Sequence, residues 1–379
     1  MLAIDAVRYA HHSLRTSPTE IGMRHASTFQ SALILIFLLL PVAGRAGDAF
    51  QRITPAEAGY SEAGLQALAQ VLDESGSESM LLLHDGKMFF EWGDIRQKRL
   101  VHSIRKPLLH ALIGVELAKG NDCLDLDRIV ADYGLDEDPP GLTAREKTAT
   151  FRQLLQSRSG IYHPAAAESE GMQAQRPARG SHAPGEFFYY NNWDFNAAGE
   201  IYKRCTGRGI HDAFLVEIAR PLGMLDYRGR ISAWPDENEP LPEDADGFIR
   251  LETDKSRMGA DHFRLSAHDL ALFGQLYLDH GRWQGRALMP SHWIDDSTRP
   301  ISILDADYGL AYGQLWNVLV PSPGEERASF YHTGVGVHML GVYPKHRLVM
   351  VHRVDTERAS EFDDGDLYRI IRAMHAARD

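Results

Sequence analysis

Ser103-Ile104-Arg105-Lys106-Pro107-Leu108-Leu109 opens a segment whose apolar face continues through Leu112, Ile113 and Leu117 and stops at Gly120-Asn121. The spacing predicts a helix that begins at Ser103. Pro107 agrees with a helix start, because its missing N–H has no helical partner in the first turn. Three residues are nearly one turn, so the Ser103 hydroxyl and the Lys106 amine share a face. A serine hydroxyl is a weak nucleophile until a neighbouring base takes its proton. A lysine can be that base where desolvation lowers its pKa. A helix N-terminus also offers free N–H groups to a developing oxyanion. The alternative at this point is an N-cap serine followed by a solvated lysine.

Two further groups stand far downstream. Tyr190-Asn191-Asn192 lies at a predicted loop-to-helix junction, where a phenol can relay a proton and the Asn192 amide can bond both a lysine and a substrate carbonyl. Its neighbours Phe187, Phe188, Trp193 and Phe195 read as core packing. His332-Thr333-Gly334 precedes the strand-like stretch after Val335, a place where a glycine lets a substrate approach the backbone. Taken alone, that triplet reads equally as a turn entering a strand.

The chain has 379 residues, 44% of them hydrophobic, enough for a large core in one domain or two intimate ones. Its formal charge of −12, with no basic stripe, argues against a nucleic-acid partner. Ahead of the globular part, Met23-Arg24-His25, the apolar run Ala32 to Leu40 and the small-residue exit Ala43 to Ala46 form a signal-peptide pattern. The run is shorter than the roughly 20 residues of a membrane span. An uncleaved anchor is the alternative, and Met23 is a second possible start. No cysteine follows the run to carry a lipid. Removing residues 1–46 leaves 36 basic against 50 acidic residues, so an acidic, exported protein (periplasmic or secreted) is expected. Its two cysteines, Cys123 and Cys205, either pair in an oxidising compartment or lie buried and free.

Along the chain, Ser61 opens a helix with Leu65, Leu68, Val71 and Leu72 on one face. Ser79 to Leu83 and Met88 to Trp92 flank the turn His84 to Lys87 as a β-hairpin. The middle is helical and loop-rich: Thr150 to Leu155, the loop from Gly160 to Pro184, Asn192 to Arg204 and His211 to Arg220. Ser266 to Asp269 starts another helix. Strands are predicted over Tyr312 to Val320, His338 to Tyr343 and Leu348 to Val354, and an amphipathic helix after Asp366. This order predicts an α+β fold: a sheet part from both chain ends (about 47–105 and 265–379) and an inserted helical part (about 106–264), with a site in the cleft between them.

In order and spacing, Ser103-x-x-Lys106, Tyr190-x-Asn192 and His332-Thr333-Gly334 resemble the class C β-lactamase family. That family also holds D-alanyl-D-alanine carboxypeptidases, esterases and amidases. The related class A set carries Ser-Asp-Asn as its second element. The likeness spans about residues 52–375. It includes Leu154-Leu155, Ser159-Gly160, Pro184-Gly185-Glu186, Gly199, Pro221 to Met224, Ser266 to Leu270, Gly281-Arg282-Trp283 and Tyr312 to Trp316. The resemblance implies a β-lactamase/transpeptidase-like fold, an antiparallel sheet flanked by helices with an inserted all-helical domain. It also implies an acyl-enzyme on Ser103, with Lys106 and Tyr190 managing the proton and Asn192 positioning lysine and substrate. His332, Thr333 and Gly334 would line the strand side, and the backbone N–H groups of Ser103 and Val335 would form the oxyanion hole. The expected substrate is a small molecule or peptide, with no cofactor and no metal.

Two positions depart from the family pattern. His332 stands where class C β-lactamases carry a lysine, so a fixed positive charge facing a β-lactam carboxylate is only conditional. That favours peptidase, esterase or amidase chemistry. Pro107 stands where serine or threonine is common. A silent penicillin-recognising or peptidoglycan-binding module on the same fold is the alternative function, although such a module would be expected to lose Ser, Lys or Tyr. His163, His182, His211, His262, His268 and His280 lack metal-site spacing and read as loop or surface residues. No Gly-x-Ser-x-Gly elbow is present.

Overall fold

The computed structural model describes residues 50–232, 241–358 and 360–379; the signal-peptide pattern of residues 1–46 lies outside them. The first helix, α1 (Glu62–Glu74), is capped by Ser61, whose side chain accepts from the Gly64 N–H, and it buries Leu65, Leu68 and Leu72. Strands β1 (Ser79–His84) and β2 (Lys87–Gly93) follow as a hairpin. Its turn holds Asp85 and Gly86 at φ 49° and 74°, the left-handed pair that a tight two-residue hairpin requires.

After β3 (Arg99–Leu100) and the 3-10 turn His102–Ile104 comes α2 (Arg105–Ala118). The insert then supplies α3 (Phe151–Leu155), α4 (Glu170–Gln175), α5 (Asn192–Thr206) and α6 (Ile210–Phe214), which passes through a π-helical turn into α7 (Arg220–Leu222). Strands β4 (Gly247–Arg250) and β5 (Ala260–Leu265) come next, then α8 (Ala267–Leu278) and the small hairpin β6 (Arg282–Trp283) and β7 (Arg286–Ala287). The chain closes with α9 (Ser291–Ser297), β8 (Ser302–Asp305), β9 (Leu310–Tyr312), β10 (Asn317–Leu319), β11 (Phe330–Thr333), β12 (Met339–Tyr343), β13 (Leu348–Arg353) and α10 (Asp364–Ala376).

The main sheet has the order β2-β1-β13-β12-β11-β10-β9-β8, and every pair is antiparallel. The two ends of the described chain meet in this sheet, since β1, second from one edge, pairs with β13. Alternate residues of β1 explain the unbroken apolar run there: Leu81 and Leu83 face α8, while Met80 and Leu82 face α1 and α10. The α8 helix lies so close to the sheet that a Cβ on Gly274 would meet Val349 at 2.6 Å.

Three local expectations change. Residues 312–320 are not one strand but the β9–β10 hairpin, because a turn at Gly313 to Trp316 reverses the chain. A Cβ on Gly313 would sit 2.0 Å from the Ser297 carbonyl, so only glycine fits that turn. Residues 106–264 contribute β4 and most of β5 as well as helices, and β3-β5-β4 form a second sheet rather than an all-helical insert. The last helix starts before Asp366, capped by Asp363 with Asp366 completing the box.

Cys123 and Cys205 are paired, tying the segment after α2 to the last turn of α5 across 82 residues of chain. Closing so long a loop in the unfolded chain stabilises the fold by about 2–5 kcal/mol. Urea unfolding of Cys123→Ser with Cys205→Ser, or of the reduced protein, should show that loss; an unchanged midpoint would refute it.

Candidate active site

Ser103 sits in the 3-10 turn between β3 and α2. The preceding residue, His102, has φ 44°, a left-handed conformation unusual for a side-chain-bearing residue. It is held there by the contact between its Nε2 and Thr356 Oγ1, at 2.8 Å. Held strain of this kind gathers at functional positions. The α2 helix begins two residues later than the apolar spacing predicts. Lys106 still reaches back, its Nζ 2.9 Å from Ser103 Oγ.

Lys106 is 2% exposed, and its Nζ lies 4.7 Å from the ring centroids of both Tyr190 and Phe195. Burial, reinforced by the neighbouring Arg105 charge, pushes its pKa well below the ordinary lysine range. A neutral amine at this distance can accept the Ser103 proton. Arg105 belongs to none of the three motifs by its own residue type. Its guanidinium donates to Asn196 Oδ1 at 2.8 Å and lines a small cavity with Asp261 and Phe263 behind the site. Asn196 is one turn along α5 from Asn192, a helical spacing that places both on one face.

Tyr190 is positioned by its flanking residues. Ser157 Oγ donates to the Tyr189 carbonyl and accepts from the Asn191 N–H, while the Asn191 amide donates to the Ile161 carbonyl and to Asp194. Burial raises the Tyr190 phenol above its usual range, opposed by a hydrogen bond with Ser103 and by Arg105, so it stays protonated. Its oxygen lies 3.5 Å from His332 Nε2, a long contact. His332 is 1% exposed and held down to about 3, chiefly by burial and secondly by Lys106. In that neutral ring Nδ1 donates to the Thr333 carbonyl at 2.8 Å, which leaves Nε2 as an acceptor facing the phenol.

The structure therefore brings Ser103, Lys106, Tyr190 and His332 together. Thr333 ends β11 beside them, and Gly334 and Val335 form the turn that follows. Among the described residues, the N–H groups of Ser103 and Val335 have no acceptor within the chain. Asn192 is placed differently from expectation. Its amide donates to the Ala167 carbonyl and so holds the 166–167 loop, while its Oδ1 is buried without a partner and makes no hydrogen bond to Lys106. Phe188 packs against the core and Trp193 and Phe195 are buried in it, but Phe187 is exposed and stacked on His182 at 4.3 Å.

Three histidines that read as loop or surface residues are buried: His211, His262 and His268. His262 lies flat on Phe248 and 6.5 Å from the His102 ring, with neither nitrogen partnered. Among the described residues, Asp226, His268 and Asp269 alone form a cluster of three metal-capable groups. Their carboxylates are already engaged: Asp269 accepts from the Leu225, Asp226 and Tyr227 N–H groups, and Asp226 from Arg96 and Ser266. No helix among the described residues is long and apolar enough to cross a membrane.

Comparison with solved structures finds the same fold. A proposed 6-aminohexanoate-dimer hydrolase from Bacillus anthracis superposes with a TM-score of 0.61 at 19% identity, over 86% of this chain and 87% of that one. A penicillin-binding protein homologue from Caulobacter crescentus gives 0.58 at 17%, over 84% and 99%. A family VIII carboxylesterase gives 0.58 at 18%, over 83% and 97%. No curated protein matches the sequence. The β-lactamase family model matches residues 76–374, which spans the hairpin, Ser103, Lys106, Tyr190 and His332, and the chain belongs to that β-lactamase family.

Proposed function

We propose that this protein is a serine hydrolase that cleaves ester or amide bonds through an acyl-enzyme on Ser103. The observation that carries the reading is the buried Lys106 amine, 2.9 Å from Ser103 Oγ and shifted toward its neutral form. Lys106 takes the hydroxyl proton as Oγ attacks the substrate carbonyl carbon. The oxyanion accepts hydrogen bonds from the backbone N–H groups of Ser103 and Val335. Collapse breaks the bond to the leaving group, which receives a proton from Tyr190, itself resupplied by Lys106. Water then attacks the acyl carbon and gives up a proton to the same base; the bond to Ser103 Oγ breaks, Oγ takes that proton back, and the acid product leaves.

The neutral His332 bears on the substrate. With Nδ1 committed to Thr333 and Nε2 an acceptor, it offers no cation to a carboxylate. That supports substrates uncharged on this side, esters or amides, over β-lactams. The carboxylesterase among the structural neighbours, and the proposed 6-aminohexanoate-dimer hydrolase, agree with this reading. The Cys123–Cys205 pair and the signal-peptide pattern together support export to an oxidising compartment.

A panel of p-nitrophenyl esters, nitrocefin and D-alanyl-D-alanine peptides tests the reading. Wild type should turn over esters or amides best, and Ser103→Ala should lose about 1000-fold or more in kcat. Full activity in Ser103→Ala would refute the nucleophile. Stoichiometric labelling of Ser103 without turnover of any substrate would favour a binding module instead. The pH profile follows from the direction of the Lys106 shift. Because its pKa is lowered, the basic form persists to lower pH than in an ordinary lysine, and kcat/KM should fall only as pH drops through that lowered value. In Arg105→Met one cause of the shift is gone, so the acid limb should move to higher pH; a limb that stays put would show that Arg105 does not tune it. Finally, His332→Lys places a cation on the strand side. The nitrocefin-to-ester ratio of kcat/KM should rise about tenfold, and an unchanged ratio would remove His332 as the selector.

A further inference from the structure

The two N–H groups assigned to the oxyanion hole come from segments distant in sequence. Among the described residues, no backbone–backbone hydrogen bond joins residues 99–104 to residues 334–337. Side chains make the connection. The Gly334 N–H donates to the His338 carbonyl at 3.0 Å and the Val337 N–H to the Gly334 carbonyl at 2.9 Å, closing a tight turn that presents Val335. Gly336 and Val337 complete it at φ 80° and 63°.

His338, directly after that turn, is fully buried, and its Nε2 lies 3.2 Å from the Val101 carbonyl, two residues before Ser103. The ring also lies against Gly334. A Cβ there would meet His338 Nε2 at 2.2 Å and the Val101 oxygen at 2.6 Å, so the glycine leaves room for ring and carbonyl alike. A carbonyl only accepts, so the proton of the neutral ring must be on Nε2. His338 Nδ1 is accordingly a buried lone pair without a partner. Thr356 braces the same gap: its Oγ1 meets His102 Nε2 at 2.8 Å, and its methyl occupies the space a Cβ on Gly336 would need.

We propose that His338 is a positioning residue, a strut between the Val101 carbonyl and the Gly334–Val337 turn that sets the separation of the Ser103 and Val335 N–H groups. The proposal rests on the acyl-enzyme reading of Ser103. A developing oxyanion is more sensitive to that separation than a ground-state carbonyl, so the strut should act on kcat rather than KM.

Three variants test it on a p-nitrophenyl ester, with melting temperatures measured alongside. His338→Gln keeps an N–H where the ring's Nε2 stands, His338→Asn moves the amide out of reach of Val101, and His338→Met fills the space without a donor. His338→Gln should stay within about threefold of wild type, while His338→Asn and His338→Met lose on the order of 10- to 100-fold in kcat at little-changed KM. Affinity for a boronic acid, which forms a tetrahedral adduct, should fall in step with kcat. Wild-type kcat in His338→Asn, or an equal loss in His338→Gln and His338→Asn at equal melting temperature, overturns the strut. If His338→Met does not fold, the comparison of glutamine with asparagine still decides. Ser103→Ala in the same assay separates the claims: its activity would sink the acyl-enzyme reading, whereas its inactivity beside an unaffected His338→Asn sinks the strut alone.

Discussion

An ammonium group buried where Lys106 lies, against two aromatic rings and next to a buried arginine, would forfeit its hydration for little in return. Burial and the Arg105 charge accordingly push the amine's pKa well below the ordinary lysine range, toward the neutral form. Much of the surrounding arrangement serves that end. Phe195 and Tyr190 supply the dry wall, Asn196 holds Arg105 in place, and the Ser157–Asn191–Asp194 hydrogen bonds fix the loop that carries Tyr190. A neutral lysine beside a serine can accept its proton. The same lysine in water would be a spectator.

The sheet supplies the other half of the site. Because β1 pairs with β13, strands from the two ends of the described chain lie side by side in the sheet, and the segment leading to Ser103 runs beside the end of β13. Arg353 donates to the Arg99 and Leu100 carbonyls, Glu357 accepts from the Leu100 N–H, and His338 reaches Val101. The Ser103 segment is thus held by residues from the far end of the chain. Small changes in sheet register would be felt at Ser103.

Most of the architecture was legible in the sequence, since periodicity reports burial directly. The α1 face, the β1–β2 hairpin, α5 and the cap of α8 follow from patterns a few residues long. The β9–β10 hairpin was not, because Tyr312 to Val320 is apolar on both sides of its turn and periodicity cannot see a reversal forced by a neighbouring carbonyl. Residue spacing does not decide the pairing of Cys123 with Cys205, because it depends on where two helical segments end in space. His262 and His268 read as surface residues because a single polar residue on a strand or helix carries no sign of which face is buried.

The sequence by itself determined the chemistry on offer: a serine and a lysine one helical turn apart, a tyrosine and a histidine entering from other segments, and an α+β framework to hold them. Those are local properties, set by residue type and spacing. Only the tertiary structure decided the protonation and the aim of each group. Burial pushes Lys106 toward its neutral form, the Thr333 carbonyl turns His332 into an acceptor, and the Ala167 carbonyl takes the Asn192 amide. A side chain's charge and hydrogen-bonding role are set by what surrounds it, and for these residues the surroundings come from segments far apart in the chain.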